Sequence, residues 1–262
     1  MPSSALHVAR TGLEAQDQRM RVIANNLANV GTTAYKRDRA NFATLAYQDA
    51  RVAGQQSSTE TTYATGLNLG TGVSIQSTTR VETQGEMQNT GNALDLALDG
   101  DGYFQVQLPG GQLGYTRAGN FTRSAEGQLV TGQGYPVQPA ITIPEGASAI
   151  TVGTDGTVSA TIAGQTEPTT LGQITVASFA NPAGLRAMGD NILTETAASG
   201  AAQIGPAGEA GRGHIRQGML EASNVNVVEE LVDMIECQRA YEINSKMIAA
   251  VDEMLKNANQ TL

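Results

Sequence analysis

Residues 227–262 read VVEELVDMIECQRAYEINSKMIAAVDEMLKNANQTL. Within them Val227, Met234, Tyr241, Ile248, Leu255 and Leu262 fall seven apart, and Val251 and Ala258 form a second row three positions beyond Ile248 and Leu255. Leu231, four residues after Val227, widens the stripe. An apolar period of seven over such a length predicts a long coiled-coil-like helix that needs a partner. The opposite end of the chain supplies a candidate. Leu6, Leu13, Met20 and Leu27 are also spaced by seven, with Ala9, Ile23 and Val30 alongside.

Punctuation supports both helices. Pro2, Ser3 and Ser4 make a helix start, and Gly31 stands at the C′ position that favours left-handed geometry. Asn226 followed three residues later by Glu229 fits a capping box, and no Pro or Gly follows Gly218. Residues 1–40 carry six basic and three acidic side chains, whereas 221–256 carry eight acidic and three basic. Opposite charge favours pairing the two helices with each other over pairing either with its own kind.

Between the helices the text changes. Twenty-eight of the 30 glycines lie between Gly54 and Gly218. Strand candidates recur there at 73–78, 94–98, 103–108, 113–117, 128–130, 141–143, 149–152, 157–162 and 173–179, separated by turn signals such as Asp99-Gly100, Glu126-Gly127 and Asp155-Gly156. The expected fold is mixed α and β: terminal helices pairing as a coiled-coil-like domain, around a central Gly-rich antiparallel β domain. The run GQQSSTETTYATG at 54–66 has almost nothing to bury and reads as an exposed excursion, either a hairpin or a segment ordered against a partner. Residues 197–213, rich in Ala, Gly and Pro, read as a return connection.

Composition narrows the chemistry. A net charge of −9 without a basic block argues against nucleic acid. No apolar run reaches the roughly 18 residues of a membrane span, and the start lacks the apolar stretch of a cleavable signal peptide, so secretion by another route is expected. Cys237, the single cysteine, excludes an intrachain disulfide and reads as a small packing residue. His7 and His214, the two histidines, lack metal-ligand spacing. Hydrolase elbows and phosphate loops are absent, and no cofactor is expected. Asp95, Asp99 and Asp101 form the only carboxylate cluster with glycosidase character, and Asp99 and Asp101 each precede Gly as in a tight turn. Asn25, Asn26 and Asn29 sit late in the first helix, where Asn costs propensity, and are read as side chains that fix register in a bundle.

The flanks of both helices carry a specific resemblance. Ala24-Asn25-Asn26-Leu27-Ala28-Asn29-Val30 with Thr32-Thr33 and Tyr35-Lys36-Arg37 resembles the N-terminal signature of bacterial flagellar axial proteins of the rod and hook. Residues 221–235 and 238–246 resemble the matching C-terminal signature, and 94–139 is similar to the middle domain of the distal-rod branch. That family carries Asn where Gly31 stands and Gly where Ala34 stands. Gly31 suits a left-handed cap as Asn does, whereas Ala34 is expected to forbid the positive φ open to Gly. Within the family, the excursion with its flanks, including Tyr47, Thr59, Thr62, Tyr63, Leu67 and Leu69, resembles a segment that hook proteins lack and that is implicated in a straight, stiff tube.

The resemblance implies a non-enzymatic subunit of the rod that polymerises with itself into a hollow drive shaft in the basal body. It implies other rod and hook proteins, surrounding ring proteins and the flagellar export apparatus as partners, with no membrane insertion. The proximal rod and hook proteins are alternatives within the family; a peptidoglycan-acting enzyme or wall-binding module is the alternative of another class. The expected domains are 1–36 with 226–262 for assembly, 37–72 with 197–225 as connecting region, and 73–196 as β domain. The expected assembly residues are Leu6, Leu13, Met20, Ile23, Asn25, Asn26, Leu27, Asn29, Val227, Leu231, Met234, Tyr241, Asn244, Ile248, Val251 and Leu255.

Overall fold

The computed structural model describes residues 2–56, 62–162 and 167–260. Its mixed architecture comprises an N-terminal helix, a C-terminal helix and a β-rich region between them. Contacts divide the chain into two compact units, one of Met1–Ala28, Asp38–Thr79 and Asn226–Leu262, the other of Asn29–Arg37 and Arg80–Val225.

In the first unit α1 (Pro2–Ala28, 27 residues) packs against α2 (Val227–Gln260, 34 residues). Asn226 caps α2, its Oδ1 accepting the Val228 N–H at 3.0 Å, and Glu229 and Glu230 stabilise the positive end of the helix dipole. A two-stranded ribbon completes the unit. β1 (Asp38–Thr44) pairs with β4 (Val73–Arg80), and β2 (Tyr47–Arg51) pairs antiparallel with β3 (Leu67–Gly70), so the chain runs out and back. The Leu45 N–H donates to Gly72 O at 3.0 Å, carrying the ladder across the junction. Gly54 N–H to Tyr63 O at 2.8 Å and Tyr63 N–H to Gln55 O at 2.9 Å extend it towards the tip. Residues 54–56 and 62–63 of the excursion therefore pair as two facing arms, while 57–61 lie outside the described residues.

Asn26 ties the ribbon to the helix. Its Nδ2 donates to Asp38 O and its Oδ1 accepts the Asp38 N–H, both at 2.9 Å, so one amide imitates a strand partner for the start of β1. The exit from α1 differs from the expectation. Gly31 is not left-handed; Ala34 is, with a φ of 56°. The expectation that Ala34 would forbid positive φ is corrected. Its N–H donates to Glu221 O at 2.8 Å and its methyl is buried, which offsets a left-handed cost of about 1–2 kcal/mol.

The second unit is built on a sheet in which strands 186–189, 192–194, 113–116, 103–107, 175–178 and 203–206 lie side by side, with 137–138 also pairing with 103–107. Strand alternation sorts its two faces. Phe104 and Val106 enter the main core with Leu96, Leu98, Phe121 and Ile174, while Tyr103 joins Tyr115, Leu185 and Leu193 on the other side. Strands 147–152, 157–162 and 169–173 form a separate sheet. Residues 141–143, read as a strand, contribute only an isolated bridge from Thr142 to Gln128, although Ile141 and Ile143 are core residues. The expected return connection contains a strand at 203–206, because Ile204 and its neighbours complete the ladder beside 175–178. The last strands, 214–217 and 219–221, return to pair with 96–99 and 87–89.

Asn26→Ala removes its two hydrogen bonds to the half-buried Asp38 amide and carbonyl. It is expected to lower stability by about 2 kcal/mol in urea denaturation followed by helical circular dichroism. Asn26→Asp is expected to fall between, since a carboxylate accepts from the N–H but donates nothing to the carbonyl.

Candidate assembly site

Four contacts define the helix pair. Asn26 Nδ2 lies 3.3 Å from Glu230 Oε2, and Arg19 and Asp233 form an ion pair of 3.0 Å. The Cys237 thiol donates to Gln16 O at 3.1 Å, and a Cβ at Gly12 would lie 3.2 Å from Asn244 Nδ2. From 26 back to 12 and from 230 on to 244 are both steps of fourteen residues, so the helices run antiparallel in one register. The inner row of α2 is Glu230, Cys237, Asn244 and Val251, again spaced by seven. Three of these four are fully or nearly buried. Sequence reading named Asn244 and Val251 singly and missed Glu230 and Cys237, because a row whose first and third members are polar carries no apolar period.

The expected residues divide. Ile23, Asn26 and Val251 are buried, and Leu6, Leu13, Met20, Leu27, Asn29, Met234, Asn244, Ile248 and Leu255 are half-buried. Asn25, Val227, Leu231 and Tyr241 are exposed. On the ribbon Tyr47, Thr62, Leu67 and Leu69 are exposed and Tyr63 is half-buried beneath the Arg51 guanidinium, 4.1 Å from its ring centroid. Thr59 lies outside the described residues.

A second apolar stripe runs along α2. Val228, Val232 and Ile235 lie on the side away from the inner row, Ile243 lies to one side of it, and Met247 and Met254, each three residues after an inner-row member, flank it; all six are 48–70% exposed. Among the described residues of its own unit, nothing removes these side chains from water.

In the β unit both connectors that lead to the helices converge on Glu221. Its Oε1 accepts from Lys36 Nζ at 2.6 Å and from the Gly85 N–H at 2.9 Å, and its Oε2 accepts from Arg117 Nε at 2.9 Å. All three charged side chains are buried. Asn224 adds a second tie, its Oδ1 accepting the Arg37 N–H at 2.7 Å while its Nδ2 donates to Val81 O and Thr83 O. Burial pushes the Glu221 carboxyl up, but the Arg117 charge and the Lys36 and Gly85 hydrogen bonds outweigh it and hold its pKa below the ordinary value. Burial, with the like charge of Arg117, holds the Lys36 ammonium below its usual range. Sequence gave no sign of this cluster, whose members stand 185 and 104 residues apart.

The carboxylates of the enzyme alternative do not converge. Asp95 is buried and accepts from Thr90 Oγ1 and Asn92 Nδ2, at 2.6 and 3.0 Å. Asp99 pairs with Arg216 at 3.0 Å, and Asp101 lies exposed in the following turn. Among the described residues no three His, Cys, Asp or Glu side chains are grouped to hold a metal, and no helix is long and apolar enough to cross a membrane.

The terminal helices pair, α2 keeps apolar side chains exposed, and the β unit holds both connectors to the helices. Three family models match: "Flagella basal body rod protein" at residues 6–36, "Flagellar hook protein FlgE/F/G D1 domain" at 97–160 and "Flagellar basal body rod FlgEFG protein C-terminal" at 216–261. The chain is 49% identical over 256 residues to the flagellar basal-body rod protein FlgG of Buchnera aphidicola subsp. Acyrthosiphon pisum, covering 98% of each. It is 47% identical to FlgG of Caulobacter vibrioides over 98% of each chain, against 34% for FlgF of the same organism over 99% of this chain and 98% of that one. The chain belongs to the flagellar basal-body rod protein family, on the FlgG side of it.

Glu221→Gln removes the carboxylate that both Lys36 and Arg117 bond to, leaving Glu82 as the remaining carboxylate acting on Lys36, and is expected to cost about 3–5 kcal/mol. The sign of its pH dependence follows from the lowered folded pKa. The contribution of Glu221 is present above the unfolded carboxyl value of about 4.3 and is lost as pH falls through the folded value. Thermal melts between neutral and acid pH are expected to show a shallower acid loss in the variant than in the parent.

Proposed function

We propose that this chain is the structural subunit of the flagellar distal rod. Copies of it polymerise helically into the hollow shaft that crosses the periplasm and transmits torque from motor to hook. The observation that carries this reading is the exposed apolar stripe of α2 in a chain related over its length to rod proteins. Burying one Val, Ile or Met side chain is worth about 1.5–3 kcal/mol, so six together are of the order of the association cost of about 4–15 kcal/mol. Repeated contacts that do not close on themselves generate a filament.

In this reading residues 1–36 and 226–262 are the assembly domain, with a coiled-coil-like seam, and 73–196 form the β domain. Residues 37–72 and 197–225 connect them, the second segment also adding strands 203–206, 214–217 and 219–221 to the β domain. The ribbon carrying Tyr47, Tyr63, Leu67 and Leu69 stiffens contacts between neighbours. Other rod proteins, the hook, the surrounding rings and the flagellar export apparatus are the partners, and the role requires no catalytic centre.

Ile235→Asp and Ile243→Asp change exposed positions, so helicity and melting of the isolated subunit are expected to stay within about 0.5 kcal/mol of the parent. Negative-stain microscopy of basal bodies from a strain carrying both changes is expected to find rods missing or truncated. Full-length rods with normal motility would refute the interface.

A further inference from the structure

A polar cavity of about 390 Å³ lies wholly within the β unit, between residues 29–33, the loop 116–120, the turn after Thr131 and the hairpin tip at 190–191. Small-molecule sites span roughly 300–1,000 Å³. Part of the lining is fixed from within. Asn191 Nδ2 donates to Thr33 O at 2.8 Å, and Asp190 and Asn191, with φ of 51° and 56°, are the central pair of a two-residue hairpin turn that suits Asp and Asn. Buried Thr116 and Thr131 accept the Ala118 and Tyr135 N–H groups, at 3.1 and 3.2 Å.

Other lining groups are left over. Asn120, Gln133 and Asp190 are exposed, and among the described residues their side chains have no hydrogen-bond or ionic partner, so they present their polar atoms to whatever enters the cavity from solvent. The lining holds no Lys, Arg or His, so an anionic ligand has no counter-charge, and a single carboxylate is too little for a dication. Ala118 and Ile192 are its only apolar members. Two free amides, each with a donor and an acceptor, match the N–H and C=O of an acetamido group. Ile192 and Ala118 suit its methyl, and the Asp190 carboxylate can accept from neighbouring hydroxyls.

We propose that this cavity binds an N-acetylhexosamine unit of a neutral glycan. The proposal is independent of the assembly role. No aromatic ring lines the site, so hydrogen bonds carry the affinity and Kd is expected near ~1 mM. Such a unit has two sources, a soluble oligosaccharide or an insoluble glycan polymer.

The test uses the full chain labelled with ¹⁵N and titrated with N,N′-diacetylchitobiose or with cellobiose, alongside co-sedimentation with purified peptidoglycan sacculi. Saturable shifts of the Thr33, Asn120, Gln133 and Asn191 amides are expected with the acetylated sugar. Binding should weaken about tenfold in cellobiose and in Asn120→Ala or Gln133→Ala, provided each variant melts with the parent. Pelleting with sacculi that the disaccharide competes away assigns the polymer as source; disaccharide binding without pelleting assigns the soluble sugar. No saturable shift at these amides, an equal response to cellobiose, or unchanged binding in both variants would overturn the proposal.

Discussion

One buried carboxylate decides how the chain enters and leaves its β unit. Glu221 stands in the last strand before α2 and takes Lys36 from the segment that follows α1, with Arg117 from the middle of the fold. Buried ion pairs are weak sources of net stability, because desolvation consumes most of the Coulombic gain. Their strength lies in what they exclude. A connector that failed to bring Glu221 to this point would leave Lys36 and Arg117 buried without the carboxylate that bonds to both, and one that failed to bring Lys36 would leave Glu221 Oε1 with the Gly85 N–H alone. Gly85 sharpens the requirement, since a Cβ there would collide with the Ala222 carbonyl. The clamp therefore selects one arrangement of two segments from opposite ends of the sequence.

The helical unit distributes polarity in an unusual way. Glu230, Asn244 and the Arg19–Asp233 pair lie at the face that α2 turns to α1, while Val228, Val232 and Ile235 face outward and Ile243 and Met254 are exposed at its flanks. Polar groups in a helix seam fix register at a cost in stability, and apolar groups supply the energy. Here the specifying groups are inside the subunit and much of the unspent apolar area is outside it.

Long-range patterns of one residue type were legible in the sequence; contacts that join distant residue types were not. Two helices, the Asn226 cap and the strands at 96–99, 103–107, 113–116, 129–130, 147–152, 157–162 and 175–178 followed from periodicity and turn chemistry, whereas the strands between 186 and 221 did not. The inner row at 230, 237, 244 and 251 escaped because a hydrophobic stripe is the signal that periodicity detects, and Glu230 and Asn244 carry none. The left-handed residue was assigned to Gly31 from intrinsic preference, whereas tertiary contacts of the Ala34 amide and methyl place it three residues later. Lys36, Arg117 and Glu221 each look like an ordinary surface charge in their local text. Only the fold, which returns strand 219–221 to strand 87–89, brings them together.

The ribbon and α2 pose the same physical problem from different elements. An isolated pair of strands is marginal in water, and this one exposes Tyr47, Val52, Leu67 and Leu69 beyond the part that Asn26 anchors. A soluble monomer with a large apolar stripe and a long two-stranded arm carries two surfaces that demand cover. A closed dimer through the α2 stripe alone would cover one of them and leave the arm in water. A helical assembly presents each subunit with several non-equivalent neighbours, so stripe and arm can be covered by different copies. That is why the proposed shaft accounts for both surfaces where a simple symmetric dimer accounts for one.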